Sequence, residues 1–160
     1  MRTYSFTITA APVTSDRDSD AIVDALFEAG CDDATVVERA GVFVIAFDRE
    51  AGSLPAALRS AQRDVARAGL KPCRFGPDPL VSAADIAERG KLSRQRVSNY
   101  VMGKRGKDFP LPVARQETDS PLWAWPEVSA WLVETGAGSI TEADVKEART
   151  IEKENLALAG

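Results

Sequence analysis

The sequence predicts an α+β protein of two domains with a trailing helix, and three observations predict it. The first half of the chain alternates strand-like and helix-like periods in the order βαββαβ. A turn-forming run, GPDP at 76 to 79, then interrupts the pattern. Beyond it lie two short helical patterns on either side of a tight turn, with a local excess of positive charge.

TYSFTITA, residues 3 to 10, sets Tyr4, Phe6 and Ile8 against threonines and a serine, the period-two pattern of a half-buried strand. Asp16 to Asp20 supply turn and cap residues for SDAIVDALFEAG, a helix with Ile22, Val23, Leu26 and Phe27 as its apolar face and Gly30 as its stop. DATVVER and GVFVIAFD flank Ala40-Gly41 and read as a hairpin. A second helix opens near Ser53 to Pro55, buries Leu58, Ala61, Val65 and Ala68, and stops at Gly69. LKPCRF gives a closing strand. This order resembles the ferredoxin-like arrangement over residues 1–76. Folds of that kind serve dimerisation, ligand sensing, RNA binding and catalysis alike. APVTSDRDSD has no glycine for an amino-acid-sensing loop and no cysteine pair for copper. Phe43 and Phe47 lack the basic and glycine neighbours of an RNA-recognition signature, so they are expected in the core.

Composition narrows the chemistry. With 44% hydrophobic and 28% charged residues in 160, the chain has a globular balance. No apolar run is long enough to cross a bilayer, and MRTYSFTITAAPVTSDRD has no apolar signal-peptide core, so the expectation is a cytoplasmic protein without membrane contact. Cys31 and Cys73 lie far apart and outside metal-ligand spacing, and are expected as reduced thiols. There is no histidine, which removes histidine-based triads and the commonest metal ligand. With no phosphate-binding glycine loop either, the chain is expected to be no enzyme, with no catalytic residues, metal or cofactor. Charge is distributed unevenly. Residues 80–115 hold eight Lys and Arg against three Asp and Glu, while residues 1–79 hold nine against twelve and residues 116–160 three against nine. A basic island between acidic flanks suits a surface that meets phosphate.

In that island Ser82 caps a helix with Asp85 as its N3 residue and Ala83, Ile86 and Ala87 facing inward. GKLS breaks the pattern, and Ser93 caps a second helix with Val97, Tyr100 and Val101 inward and Arg94, Gln95, Ser98 and Asn99 outward. DIAERGKLSRQRVSNYV resembles the helix-turn-helix of bacterial repressors, with Ala87, Leu92, Ser93, Gln95, Val97 and Ser98 in the matching places. The turn position that is usually glycine is Lys91, with Gly90 one place earlier, so either Lys91 adopts a left-handed backbone or the turn differs. DFPLPVARQETDSPLWAWPEVSAWL resembles the wing and third helix of winged helix-turn-helix proteins of the excisionase and MerR-like group, the AlpA type among them. Phe109, Pro110, Pro112, Trp125, Pro126, Glu127, Val128, Trp131 and Leu132 carry that likeness, and the whole resemblance spans about residues 80–133.

The resemblance implies double-stranded DNA as partner, read in the major groove by a recognition helix at 93–103. Arg94 suits guanine O6 and N7, and Gln95 or Asn99 suits adenine N6 and N7, which makes these three the base-readout candidates. Ser93, Arg96, Ser98, Tyr100, Lys104, Arg105 and Lys107 suit phosphate contacts, and Arg115 and Gln116 lie near the wing tip. Of the tryptophans, Trp131 is expected to pack inward, and Trp123 invites either packing or base stacking. After the ETGAGS link, residues 139–158 form an acidic helix started by Thr141 and Asp144, with Val145, Ala148 and Ile151 as a thin apolar stripe. The expected role is a bacterial or phage transcriptional regulator, repressor-like and acting as a homodimer because one short helix reads few bases. A protein partner is expected through the N-terminal domain or the C-terminal helix. Two alternatives stand beside it: an antitoxin or other neutralising partner with autoregulatory DNA binding, and an excisionase-type factor that bends DNA.

Overall fold

The alternation at the N-terminus becomes β1 (Arg2–Pro12), which lies between β3 (Val42–Ala51) and β4 (Leu70–Gly76), with β2 (Ala34–Arg39) beyond β3. All pairings are antiparallel. This computed structural model describes residues 1–14, 18–103 and 108–159. Phe6 sits opposite Phe47 and Ile8 opposite Ile45, so a single register sends every large apolar side chain of both strands to one face. Phe43 and Phe47 are buried there, away from the exposed side of the sheet, and Phe6 and Phe47 stack with ring centroids 5.3 Å apart. Between β2 and β3, Ala40 and Gly41 both take positive φ, the backbone that matches a two-residue hairpin to the twist of its strands.

The first unit also holds the helices α1 (Ser19–Glu28) and α2 (Leu54–Arg67). Ser53 caps α2, a proline occupies its first turn, and Leu58, Ala61 and Val65 are fully buried as α2 packs on β1, β3 and β4. The expected apolar face of α1 is only half right. Ile22 and Leu26 are buried, but Val23 and Phe27 are exposed. α1 packs against α2 along one narrow line, and the 100° step from Ile22 to Val23 carries the second row away from it. The cap of α1 is Asp18, whose side chain accepts from the Asp20 backbone N–H, whereas Asp16 lies outside the described residues.

Among the described residues of this unit one cation is buried. Arg49 is 7% exposed and donates to Asp33 (Nε to Oδ2, 2.8 Å), to Asp64 (Nη1 to Oδ2, 2.9 Å), to Ser60 Oγ and to the Gly30 carbonyl. Burial works against its charge, but the hydrogen bonds and charges of Asp33 and Asp64 outweigh that and hold its pKa above the ordinary value. Beside it, burial and the negative charge of Asp64 raise the Cys31 thiol from 9.0 to about 11.

The chain divides after Pro77. The second unit, Asp78–Glu152, holds the paired strands β5 (Leu80–Val81) and β6 (Trp123–Ala124) and the helices α3 (Ala83–Gly90), α4 (Arg94–Val101) and α5 (Trp125–Thr135). The last helix, α6 (Glu142–Ala159), begins here, with Thr141 and Asp144 exchanging hydrogen bonds across its first turn and with Ala148 and Ile151 buried. Its residues from Lys153 onward belong to the first unit. There Glu154 pairs with Arg59 at 2.8 Å, and the Asn155 amide accepts from Phe75 N (2.7 Å) and donates to Phe75 O (3.0 Å). Among the described residues no helix is long and apolar enough to cross a membrane.

The two thiols differ enough to be told apart. At pH 8 an aromatic disulfide reagent is expected to modify the exposed Cys73 quickly and the buried Cys31 only after denaturation. Two fast thiols in the native protein would contradict the buried environment of Cys31. Because the folded chain keeps that thiol protonated up to about 11 while an unfolded one ionises near 9.0, its contribution to stability declines as pH rises through that window.

Candidate nucleic-acid interface

Ser82 opens α3 with a reciprocal cap: its hydroxyl accepts from Asp85 N (3.1 Å) and the Asp85 carboxylate accepts from Ser82 N (3.0 Å). Ile86 and Ala87 face the core as expected, whereas Ala83, at the first position of the helix, is exposed. The turn resolves the Gly90-Lys91 question. Lys91 takes φ 54° and ψ 49°, the left-handed conformation, and the Leu92 N–H closes the turn onto the Ala87 carbonyl at 2.9 Å. Gly90 serves packing: a Cβ there would lie 3.2 Å from Leu92 Cδ1 and 3.4 Å from Leu132 Cδ1. Its carbonyl also accepts from Ser139 N, so the loop after α5 is pinned to the same spot.

Ser93 caps α4 by accepting from Arg96 N at 3.1 Å, which fixes its hydroxyl on the protein's own backbone. Val97 and Tyr100 are buried, and Arg94, Gln95, Arg96 and Ser98 are exposed on the opposite side. Gln95 Nε2 donates to Asn99 Oδ1 at 3.1 Å, and Asn99 is half-buried. The amide groups left over, Gln95 Oε1 and Asn99 Nδ2, are an acceptor and a donor side by side. Arg96 Nε donates to the Tyr100 hydroxyl at 2.7 Å, and its guanidinium lies 5.8 Å from that ring's centroid. The Tyr100 ring is core, and its hydroxyl oxygen accepts from Arg96, which leaves the phenolic proton as a donor. One reading from sequence changes here. Val101 is 42% exposed, because it lies in the last turn of an eight-residue helix, where the core reaches only the Val97 and Tyr100 row. Ser98 Oγ lies 3.9 Å from Met102 Sδ. Lys104, Arg105 and Lys107 fall outside the described residues.

Behind α4 stands an aromatic cluster. Tyr100 meets Trp131 edge-on at 4.9 Å and stacks on Phe109 at 6.1 Å, while Phe109 meets Trp131 at 5.1 Å and Trp123 at 6.2 Å. Trp123 Nε1 donates to the Pro110 carbonyl at 3.0 Å. All three tryptophans are buried, so none offers a face for base stacking. From this cluster the chain runs out into a hairpin held by the Ala114–Leu122 bridge, and turns at Arg115. Arg115 has φ 54°, and its carbonyl accepts from both Thr118 N and Thr118 Oγ1. Gln116 Nε2 donates back to Pro112 O at 3.2 Å. Arg115 and Gln116 are both exposed at this tip.

Sequence reasoning did not single out Arg89. Its guanidinium lies 5.3 Å from the Trp125 ring centroid, and burial lowers its pKa against the opposing charges of Asp85, Asp78 and Glu88. The only signal available was an arginine in a helix's last turn. The hollow between the end of α4 and Phe109–Pro112 measures about 190 Å³, below the range of pockets that enclose small-molecule ligands. Among the described residues no cluster of three or more Cys, Asp and Glu is placed to hold a metal ion. No protein-family model matches the chain, and no curated protein or solved structure is significantly similar to it.

The turn generates two opposed stability changes. Lys91→Gly relieves the left-handed backbone and is expected to stabilise the second unit by up to about 1 kcal/mol. Gly138→Ala drives a methyl to 2.5 Å from the Gly90 carbonyl oxygen of that turn, on a backbone at φ 69°, and is expected to cost about 1–3 kcal/mol. All three tryptophans lie in this unit, so urea denaturation followed by tryptophan fluorescence reads both effects directly.

Proposed function

We propose that the chain is a sequence-specific double-stranded DNA-binding protein, a winged helix-turn-helix joined to a ferredoxin-like domain, acting in transcriptional regulation. The observation that carries this reading is α4 itself. It buries Val97 and Tyr100 and leaves Arg94, Gln95 and the Gln95–Asn99 amide pair outward at its first turns, with no acidic residue in its first turn to oppose phosphate. An exposed helix edge with a guanidinium fork and paired amides matches the donor and acceptor edges of guanine and adenine in the major groove. The hairpin carrying Arg115 supplies a wing, and the exposed Lys91 and Arg96 supply backbone contacts at the two sides of the helix start. Residues 80–115, with eight cations against three anions, are the part of an otherwise acidic chain that suits a polyanion. A helix of eight residues covers few base pairs, so the reading carries with it a dimer on a two-fold site.

The test starts by selecting bound duplexes from a random pool. Arg94→Ala and Gln95→Ala are each expected to lose about 1–3 kcal/mol of discrimination between selected and scrambled duplex, with smaller loss on the scrambled one. Replacing Lys104 and Arg105 together is expected to weaken both duplexes alike and to flatten the salt dependence by about one unit of slope per cation removed. Equal loss on both duplexes for Arg94→Ala and Gln95→Ala would remove them from base readout. Absence of any complex at low ionic strength would remove the function.

A further inference from the structure

The face of the sheet opposite α1 and α2 is polarised along its strands. At one end stand Glu50 and Asp48, which cross the register to Thr3 and Ser5, and Ser5 Oγ donates to Asp48 Oδ1 at 2.6 Å. At the other end stand Arg39 opposite Val42, and Lys71 opposite Ala11. Between these ends the face carries small and apolar side chains, Thr7 and Ala46, then Val37, Val44 and Thr9, then Val42, with the exposed Arg74 beside Thr9 on the outermost strand adding to the basic half. Val37 is 48% exposed, and Val42 and Val44 are half-buried. A shallow hollow of about 490 Å³ lies over Thr7, Thr35, Ala46 and Asp48.

We propose that this face joins two copies of the chain, stacked sheet on sheet about a two-fold axis that runs across the strands. Such an axis reverses strand direction between the copies, so the Asp48 and Glu50 end of each lies over the Arg39 and Lys71 end of the other. The apolar band meets itself at the usual sheet-to-sheet distance of about 10 Å. An axis along the strands instead sets carboxylate over carboxylate and cation over cation, which like-charge repulsion rejects. Charge thus selects both the occupant and its orientation: a surface acidic at one end and basic at the other is complementary to its own copy. Four strands spaced about 4.8 Å apart, over about 20 Å of their length, offer roughly 400 Å² per copy. A standard stable interface takes about 800 Å² per partner, so this pair is weak and forms at high protein concentration. The pairing is a property of the sheet and needs no DNA.

Sedimentation equilibrium of the full chain, from low micromolar to about 1 mM, reads it directly. The wild-type chain is expected to dimerise within that range. A double variant Arg39→Glu and Lys71→Glu makes both ends acidic, and Asp48→Lys with Glu50→Lys makes both ends basic. Each alone is expected to weaken the dimer by about tenfold or more, while an equimolar mixture of the two recovers wild-type affinity as a heterodimer. Circular dichroism checks that each variant is folded, and Val37→Lys, a single exposed change in the middle of the face, is a further variant expected to abolish the pair. A wild-type chain that stays monomeric throughout, variants that dimerise as the wild type does, or a mixture no tighter than its components would overturn the proposal and leave the face to some other occupant.

Discussion

The orientation of α4 rests on the contact of Tyr100 with Trp131 and Phe109. A helix of eight residues is far too short to hold itself together in water, so its position comes almost wholly from what its inner side touches. Only Val97 and Tyr100 reach the core from it. The edge-on contact at 4.9 Å and the stack at 6.1 Å each add about 0.5–1.5 kcal/mol beyond the area they bury. Phe109 also begins the path to the hairpin, and Trp123 fixes that path through the Pro110 carbonyl. One aromatic cluster therefore sets the helix edge and the hairpin together. The outward direction of Arg94 and Gln95 is a consequence of where Tyr100 points inward.

The first unit depends on a different kind of constraint. Apolar register alone would allow Arg49 to be any buried hydrophobe, yet the structure places a guanidinium there with two carboxylates, a hydroxyl and a carbonyl around it. Those partners come from the loop between α1 and β2 and from the body of α2, so one side chain ties two separate pieces of chain to β3. A buried ion pair of this type adds little net stability over a well-packed apolar residue, but losing one member leaves an uncompensated charge. Its value lies in specifying how α2 and the loop before β2 meet the strand.

Much of this was legible in the sequence because the signals were local. Period two gave the strands, the 3.6-residue stripe gave Leu58, Ala61 and Val65, and the caps at Ser82, Ser93 and Thr141 announced their helices through residues only three apart. The left-handed Lys91 was readable as one of two possibilities, since the neighbouring Gly90 showed that something about the turn was unusual. Errors arose where the width of a buried face depended on a neighbour. Val23, Phe27 and Val101 are apolar and correctly spaced, but each lies one step beyond what the packing partner covers. The Arg49 network was invisible because its partners are 11 to 19 residues away and charged residues give no periodic signal. Tyr100 was legible as an inward residue from its spacing with Val97, whereas the bond from Arg96 to its hydroxyl was not.

The amide of Asn155 has a consequence of its own. β4 is an edge strand, and the Phe75 N–H and carbonyl on its outer side are the groups that an incoming peptide from another molecule would seize. Asn155 holds both, imitating a single residue of a fifth strand that goes no further. At Phe75 the margin of β4 is thereby occupied by a side chain that cannot propagate, which blocks templated strand addition at that point.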